Sequence, residues 1–177
     1  DARCDCAVGI GGGSAIDTAK ALSCQIEVAE SGRKLRDVKV PAEAPAAIPI
    51  LAIPTTAGTG SEVTPVAVIT TGETTKAGIS ATALLPDVAI LDAELTVGLP
   101  PHVTAMTGID AMVHAIEAYT SKIKKNPISD MLSRQALKLL AGNQRRVLSH
   151  PTDLQAREAR PVLLTLVLKG KKQARQK

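Results

Sequence analysis

A carboxylate and an imidazole stand one helical turn apart near the middle of the chain, at Asp110 and His114. Glu117 and Ser121 continue the same stripe at helical spacing. An Asp oxygen and a His nitrogen are suitable ligands for a divalent cation such as Fe²⁺ or Zn²⁺. Two ligands do not complete a catalytic metal site, and such a pair is also commonly a solvated ion pair. Spacing alone leaves both interpretations open.

A helix over residues 106–119 is predicted to position this pair. Its apolar surface is expected to lie opposite the polar stripe and to be formed by Ile109, Met112, Val113 and Ile116. The remaining histidines, His102 and His150, each lie beside proline and are predicted to be loop or capping residues rather than ligands.

A glycine turn near the beginning of the chain is a second candidate site. Residues 7–10 predict a strand, Gly11-Gly12-Gly13-Ser14 follows, and residues 15–22 predict a helix. Glycines let backbone N–H groups approach a phosphate, and the N-terminus of a helix favours its negative charge. The glycines do not match the dinucleotide fingerprint G-x-G-x-x-G in full. A tight turn that needs positive φ explains them equally well.

A loop rich in hydroxyl groups follows the second predicted strand, residues 48–53. Between Pro54 and Glu62 it contains two glycines and the hydroxyls of Thr55, Thr56, Thr59 and Ser61. Such a loop can bind sugar and phosphate oxygens, or it can use its hydroxyls to satisfy its own backbone. Lys76, beyond the next turn, is a surface lysine by default, although its ammonium could reach a cofactor phosphate or ribose.

The remaining elements predict an α/β first half and an all-α second half, with the change near Pro100. Further strands are expected at residues 66–70 and 86–92, a turn at 71–74, a mixed helix and loop connection over 27–47, and helices at 129–140 and 152–160. At the first helix, Ser14 is expected to be the N-cap and Asp17 the acidic residue of a capping box.

Composition limits the function classes. The 177 residues are 45% hydrophobic and 21% charged, with one Tyr and no Trp or Phe, so the core must be aliphatic and base stacking on aromatic rings is disfavoured. Three cysteines without a CxxC pair indicate neither a disulfide network nor structural zinc. The net charge of +4 includes five cations in residues 169–177, which leaves −1 for the rest. No membrane span or signal peptide is evident, so a cytoplasmic location is expected. Neither nucleic acid nor a membrane is expected as a partner.

Four motifs in order resemble those of the iron-containing (group III) alcohol dehydrogenases, from about Asp5 to about Ala159. They are Gly11-Gly12-Gly13-Ser14-x-x-Asp17-x-x-Lys20, Pro54-Thr55-Thr56-Ala57-Gly58-Thr59-Gly60-Ser61-Glu62, Pro86-Asp87-Val88-Ala89-Ile90-Leu91-Asp92 and Gly108-Ile109-Asp110-Ala111-x-x-His114-Ala115-Ile116-Glu117-Ala118-Tyr119. The resemblance implies a dehydroquinate synthase-like fold. In that fold, an α/β Rossmann-like nucleotide-binding domain precedes an all-α domain, and the active site lies in the cleft between them.

The family's chemistry is a reversible oxidation of an alcohol to an aldehyde or ketone. The resemblance implies hydride transfer to NAD or NADP, with Fe²⁺ or alternatively Zn²⁺ as a Lewis acid. Asp110 and His114 match the first two metal ligands. The cofactor-binding residues implied are Gly11, Gly12, Gly13, Ser14, Asp17, Thr55, Thr56, Thr59 and Lys76.

The chain departs from the family pattern at both ends. The strand and helix that discriminate NAD from NADP and two later histidine ligands have no counterpart. We expect a partial nucleotide-binding domain over residues 1–99, a partial helical metal-binding domain over 100–160, and a basic tail outside the family pattern over 161–177.

The predicted function is therefore that of an incomplete alcohol dehydrogenase, weakly active or inactive alone, whose substrate is a small alcohol or aldehyde. The alternative is a non-catalytic nucleotide-binding module that retains only the pyrophosphate loop. The resemblance also implies assembly of the complete protein into a homodimer or higher homo-oligomer.

Overall fold

A computed structural model describes residues 4–30, 48–70, 76–122 and 125–159. The chain divides into a first unit, Asp1–Pro54 with Ser61–Ile90, and a second unit, Thr55–Gly60 with Leu91–Lys177. The division falls at Ile90 rather than near Pro100, and the domain limits of the sequence analysis stay a prediction. The expected turn at 71–74, the 161–177 tail and most of the 27–47 connection lie outside the described residues.

A parallel sheet forms the base of the first unit. Its strands are β1 (Ala7–Gly11), β2 (Ile50–Pro54) and a two-residue β5 (Val88–Ala89), in the order β1-β2-β5. Ala7 pairs with Ile50 and Gly11 with Pro54, so β1 and β2 end side by side. The strands predicted at residues 7–10 and 48–53 are thus present, with small shifts in their limits.

The strand predicted at residues 86–92 is wrong in length. Only Val88–Ala89 joins the ladder. Before it, the Asp87 carboxylate accepts the Ile50 N–H at 2.8 Å, so a side chain takes the place of a backbone acceptor at this end of the pairing. After it, the Ile90 N–H still donates to the Ala52 carbonyl at 2.9 Å, although Ile90 is no longer part of the strand.

Helix α1 (Gly13–Glu30) follows β1 and packs on β1, on β2 and on the later strand Val66–Thr70. It begins earlier and ends later than the predicted 15–22. The Ala15 and Ile16 N–H groups donate to the Gly12 carbonyl at 3.1 and 3.2 Å. Because Ser14 is already inside the helix, the prediction that it is the N-cap is wrong.

An antiparallel hairpin completes the first unit. It consists of β3 (Val66–Thr70), as predicted, and β4 (Lys76–Ser80), with Val66 opposite Ser80 and Thr70 opposite Lys76. Strand β4 was not predicted, because its sequence KAGIS has a single β-branched residue and a glycine. One buried cluster joins the hairpin to α1 with aliphatic and thiol side chains: Cys24, Ala67, Ala81 and Leu84.

Two helices dominate the second unit. They are α2 (Pro101–Thr120) and α3 (Pro127–Ser149), which pack on each other, and a helical turn follows at residues 154–159. Both begin with proline, whose fixed φ suits the first helical position. The Asn126 side chain caps α3 by accepting the Ser129 N–H at 2.8 Å. Each helix is longer than its sequence pattern predicted.

The buried face of α2 differs from the prediction. Small residues form it: Thr104, Gly108, Ala111, Ala115 and Ala118. Of the predicted apolar surface, Ile109, Val113 and Ile116 are exposed and only Met112 packs against the core. The prediction was wrong because the small residues let α3 approach closely, which the larger side chains would prevent.

Among the described helices, none is long and apolar enough to span a lipid bilayer.

Candidate functional site

The glycine turn joins β1 to α1 as predicted. Gly11 has a φ of 143°, and a Cβ at this position would lie 2.8 Å from the Ala15 Cβ. At Gly9, a Cβ would lie 3.1 Å from the Ile16 Cα, which shows that α1 packs directly on the strand. The close packing of α1 on β1 therefore explains why glycine is needed at both positions. The same close packing places the first amides of α1, at Gly13 and Ser14, at the end of the strand, where an anion could bind.

Lys20 lies about two turns beyond the start of α1 and is wholly buried. Its Nζ donates hydrogen bonds to the Ser61 Oγ at 3.1 Å, the Thr64 carbonyl at 2.9 Å and the Val66 carbonyl at 2.7 Å. An ammonium group has three hydrogens, so these three bonds use its full donor capacity.

Asp17 faces the same buried region. Its carboxylate accepts hydrogen bonds from the Ser61 hydroxyl and, at 3.0 Å, from the Val68 N–H, and it lies 3.6 Å from the Lys20 ammonium. The prediction that Asp17 belongs to a capping box is wrong, because the carboxylate points to the segment after the hydroxyl loop. Both of its oxygens are thus engaged inside the first unit.

Burial dominates the electrostatics of this cluster. Desolvation lowers the pKa of Lys20 to about 8, although the charges of Asp17 and Glu62 oppose the shift. Desolvation likewise raises the pKa of Glu62, a side chain only 3% exposed, against its own backbone N–H and the charge of Lys20. The Glu62 Oε2 has no hydrogen-bond partner within the described part of the chain.

The hydroxyl loop begins directly after β2. Thr55, Thr56 and Thr59 are half-buried there. The Thr56 Oγ1 is shielded from solvent and has no partner among the described residues, so it does not satisfy the loop's own backbone. A buried hydroxyl without a partner fits a loop that hydrogen-bonds a ligand.

A close contact attaches this loop to α2 inside the second unit. A Cβ at Gly58 would lie 1.9 Å from the Thr107 carbonyl oxygen, a distance that no side chain could occupy. Thr107 precedes Asp110 by one helical turn. The contact therefore brings the hydroxyl loop to the part of α2 that carries the candidate metal ligands.

Asp110 and His114 lie on one stripe of α2, as the helical spacing predicts. The His114 Nε2 is 3.7 Å from the Asp110 Oδ2, and the His114 Nδ1 is 3.8 Å from the Glu117 Oε2. All three side chains are partly exposed. A carboxylate oxygen and an imidazole nitrogen are donors that Fe²⁺ and Zn²⁺ accept. The described residues contain no cluster of three or more His, Cys, Asp or Glu able to hold a metal.

The other candidate residues of the sequence analysis are two histidines and a lysine. His102 is exposed in the first turn of α2, and His150 is exposed just after α3, with its Nδ1 2.9 Å from the Ser149 Oγ. Lys76 is exposed at the start of β4. Neither spare histidine belongs to a ligand cluster among the residues described.

The sequence analysis missed the buried cluster of Lys20, Ser61 and Glu62. It assigned no role to Lys20 or Glu62 and treated Ser61 only as one of four loop hydroxyls. A signal was present, because Lys20 follows Ile16 by one turn and so lies on the face that packs on the sheet. Gly58 was likewise counted only as a loop glycine.

Two family models match the chain. The model for iron-containing alcohol dehydrogenase covers residues 1–93, and the model for the C-terminal part of the Fe-containing alcohol dehydrogenase family covers residues 104–168. The second match continues beyond Ala159, where the residue pattern was expected to end, and so reaches into residues assigned to the tail.

Among curated relatives, the chain is 43% identical over 160 residues to the probable alcohol dehydrogenase EutG of Escherichia coli, and the match covers 90% of this chain and 40% of the relative. It is 42% identical over 159 residues to the NAD-dependent methanol dehydrogenase of Bacillus methanolicus, or 89% of this chain and 41% of the relative. The chain thus spans about two fifths of the length of these relatives.

The solved structures agree. Sulfoacetaldehyde reductase from Bifidobacterium kashiwanohense, crystallised with NAD⁺, superimposes with a TM-score of 0.82 at 36% identity over 94% of this chain and 44% of that protein. The likeness confirms the predicted Rossmann-like α/β part followed by the start of a helical part. By sequence and by fold, this chain belongs to the iron-containing alcohol dehydrogenase family.

Proposed function

We propose that the chain supplies part of an NAD(P)-dependent, metal-dependent alcohol dehydrogenase that transfers hydride reversibly between a small alcohol and the nicotinamide. The contact of Gly58 with Thr107 is the observation that supports this most directly. It holds the unpartnered Thr56 hydroxyl close to the helix of Asp110 and His114. Relatives named as NAD-dependent methanol dehydrogenase and NADPH-dependent butanol dehydrogenase support the same chemistry.

The dinucleotide would be bound by the ends of two adjacent parallel strands. The backbone of Gly11, Gly12, Gly13 and Ser14 would hold the pyrophosphate, because a helix N-terminus stabilises negative charge. The hydroxyls of Thr55, Thr56 and Thr59 would bind phosphate or sugar oxygens, and Lys76 would lie near the ribose. Since the carboxylate of Asp17 is engaged within the first unit, we assign it to shaping the site rather than to contacting the cofactor.

Asp110 and His114 would hold the metal. Glu117 faces the His114 Nδ1, which leaves the Nε2 to face Asp110 and a cation. When bound, Fe²⁺ or Zn²⁺ would act as a Lewis acid toward the alcohol. Because a catalytic metal needs at least a third ligand, and the described residues offer no three-donor cluster, we infer weak metal affinity and little turnover for this chain alone.

The test combines cofactor, metal and activity measurements on the 177-residue chain. NADH and NADPH binding is followed by fluorescence, Fe²⁺ and Zn²⁺ binding by anaerobic calorimetry, and turnover by alcohol-dependent NAD(P)H formation. We expect dinucleotide binding, weak metal binding and low turnover. Asp110→Asn and His114→Ala should abolish the metal binding, whereas His150→Ala, an exposed histidine after α3, should leave it unchanged.

Tight, stoichiometric metal with ordinary turnover would contradict the inference of weak affinity. Absence of dinucleotide binding would contradict the proposal itself. Dinucleotide binding without any metal binding would favour the second candidate, a non-catalytic nucleotide-binding module, to which the lack of a three-donor cluster among the described residues also points.

Cytoplasmic location and assembly of the complete protein into a homodimer or higher homo-oligomer stay predictions.

A further inference from the structure

The segment that follows the hydroxyl loop is attached to α1 by several hydrogen bonds. We define residues 61–68 as the return segment. Lys20 binds it at the Ser61 hydroxyl and at the Thr64 and Val66 carbonyls, and Asp17 binds it at the Ser61 hydroxyl and the Val68 N–H. The bonds are distributed along the whole segment rather than concentrated at one end.

These bonds come from one charged pair on consecutive positions of a single helix face. The Lys20 ammonium meets three acceptors within 3.1 Å, and the Ser61 hydroxyl links it to the Asp17 carboxylate. Lys20 is 0% exposed and so cannot itself contact a ligand in solvent. Any effect of Lys20 on ligand binding must therefore act through the return segment.

The two ends of the hydroxyl loop are thus held by different means. At its beginning, Pro54 is fixed in β2 as the register partner of Gly11. At its end, Ser61 is fixed by the side chains of Lys20 and Asp17, which belong to the helix that begins at the glycine turn. Loss of the second attachment would leave the loop held at its beginning and at Gly58 but not at its end.

We propose that Lys20 is a positioning residue for dinucleotide binding, because it anchors the return segment and thereby sets where the hydroxyl loop ends. The inference rests on the proposed function. A loop that spends only a tenth of its time in the binding position weakens the apparent affinity about tenfold. The anchoring itself can be measured without any ligand.

The variant that tests this is Lys20→Met, whose unbranched side chain preserves most of the packing of the lysine stem but donates no hydrogen bond. The matched control is Leu84→Ala. Leu84 is a 1% exposed core residue of the same unit that shares an apolar cluster with Ala67 of the return segment but makes none of the Lys20 bonds, so the substitution lowers stability without removing a hydrogen bond from that segment. Hydrogen exchange of residues 61–68 and the Kd for NADH are measured where circular dichroism shows both variants folded.

We expect Lys20→Met to raise amide exchange in the return segment and to raise the Kd for NADH by about tenfold. Leu84→Ala should leave the Kd unchanged, even if it lowers the melting temperature as much. A purely structural role for Lys20 predicts equal effects of the two variants on the Kd, and that result would overturn the proposal. Unchanged exchange in Lys20→Met would overturn the anchoring.

Failure of the proposed function gives a different result. If the unsubstituted chain binds neither NADH nor NADPH, the proposed function fails, and the dinucleotide role of Lys20 fails with it. The exchange measurement then still decides the anchoring on its own, since faster exchange in Lys20→Met supports it and unchanged exchange refutes it.

Discussion

At Lys20, an ammonium group is removed from water and surrounded by a hydroxyl, two carbonyls and the Asp17 carboxylate. Removing an ion from water costs several kcal/mol, and paired charges and hydrogen bonds offset only part of this cost. The pKa of Lys20 therefore falls to about 8 from an ordinary value of 10.5. The group is charged at neutral pH and loses its proton under mildly alkaline conditions.

This shift makes the contribution of Lys20 to stability depend on pH. Below pH 8, both the folded and the unfolded chain hold the proton, and the full cost of burying the charge is present. Between pH 8 and 10.5, the unfolded chain binds more protons, so the stability contributed by Lys20 rises with pH. The slope is at most about 1.4 kcal/mol per pH unit.

The measurement is urea denaturation of the original chain and of Lys20→Met from pH 7 to 10. The difference in unfolding free energy should move in favour of the original chain as the pH rises through 8. A difference that is constant over the whole range would show that Lys20 titrates equally in both states.

At the scale of elements, α2 shows how a helical pattern can be assigned the wrong face. Its larger apolar side chains suggest a buried surface, but the residues packed against α3 are mainly alanines, with Ala115 and Ala118 beside Ala136. Two helices that meet through alanines lie closer than helices that meet through isoleucines and valines. The apolar stripe of Ile109, Val113 and Ile116 is left exposed on the described chain.

We expect Ala115→Leu to destabilise the chain by about 1–3 kcal/mol, because a 0% exposed alanine has no space for three further carbons. Val113→Ala, on the exposed stripe of the same helix, should change stability by less than about 0.5 kcal/mol. Thermal denaturation of the two variants compares them directly. A larger loss for Val113→Ala than for Ala115→Leu would mean that the opposite face of α2 is buried.

The contact between the hydroxyl loop and α2 also depends on side-chain size, in this case at Gly58. Gly58→Ala places a methyl group where the Thr107 carbonyl oxygen is 1.9 Å away, so the loop must move off the helix. We expect a loss of about 1–3 kcal/mol in unfolding free energy, together with weaker NADH binding if the loop lines the cofactor site.

Gly142→Ala is the control in the same unit. A Cβ at Gly142, inside α3, meets nothing within 4 Å, so alanine should be neutral or should stabilise the helix by up to about 1 kcal/mol. Urea denaturation and an NADH titration of both variants test the contrast. Equal behaviour of the two would show that Gly58 does not approach α2 as closely as described.

At the scale of the whole molecule, long-range polar bonds close each unit. In the second unit, the buried Arg157 donates from Nη1 to the Thr96 carbonyl at 2.7 Å and from Nε to the Pro151 carbonyl at 2.6 Å. Thr96 and Arg157 are 61 positions apart in the sequence. One guanidinium therefore joins the helical turn at residues 154–159 to the segment before α2.

Removal of this guanidinium should loosen the attachment of the helical turn at residues 154–159 to the segment before α2. Arg157→Met keeps an unbranched aliphatic side chain but leaves the carbonyl of buried Thr96 and the carbonyl of exposed Pro151 without their donor, at an expected cost of about 1–3 kcal/mol. Arg134→Met, at an exposed position on α3, is the comparison and should be nearly neutral. The proposal of a closing role is wrong if denaturation midpoints of the two variants coincide.

Much of this architecture follows from local sequence pattern. Apolar runs that end in glycine or threonine loops predict β1 and β2, and helical spacing predicts α1, α2 and α3, because backbone conformation depends on near neighbours. The four motifs identify the family, as the family models confirm. The roles assigned to Asp110 and His114 as ligands, and to the threonines as cofactor contacts, stay predictions.

What the sequence determined by itself is the kind and order of most elements, β4 excepted, together with the family and the residues that can take part in chemistry. Only the tertiary structure decided where side chains point and which helix face is buried. Asp17 turns toward the return segment, Lys20 is buried, and α2 packs through its alanines. The physical reason is that these outcomes depend on partners distant along the chain. Ser61 lies 44 positions from Asp17 and Val68 lies 51, and no local periodicity encodes which distant group a side chain will meet.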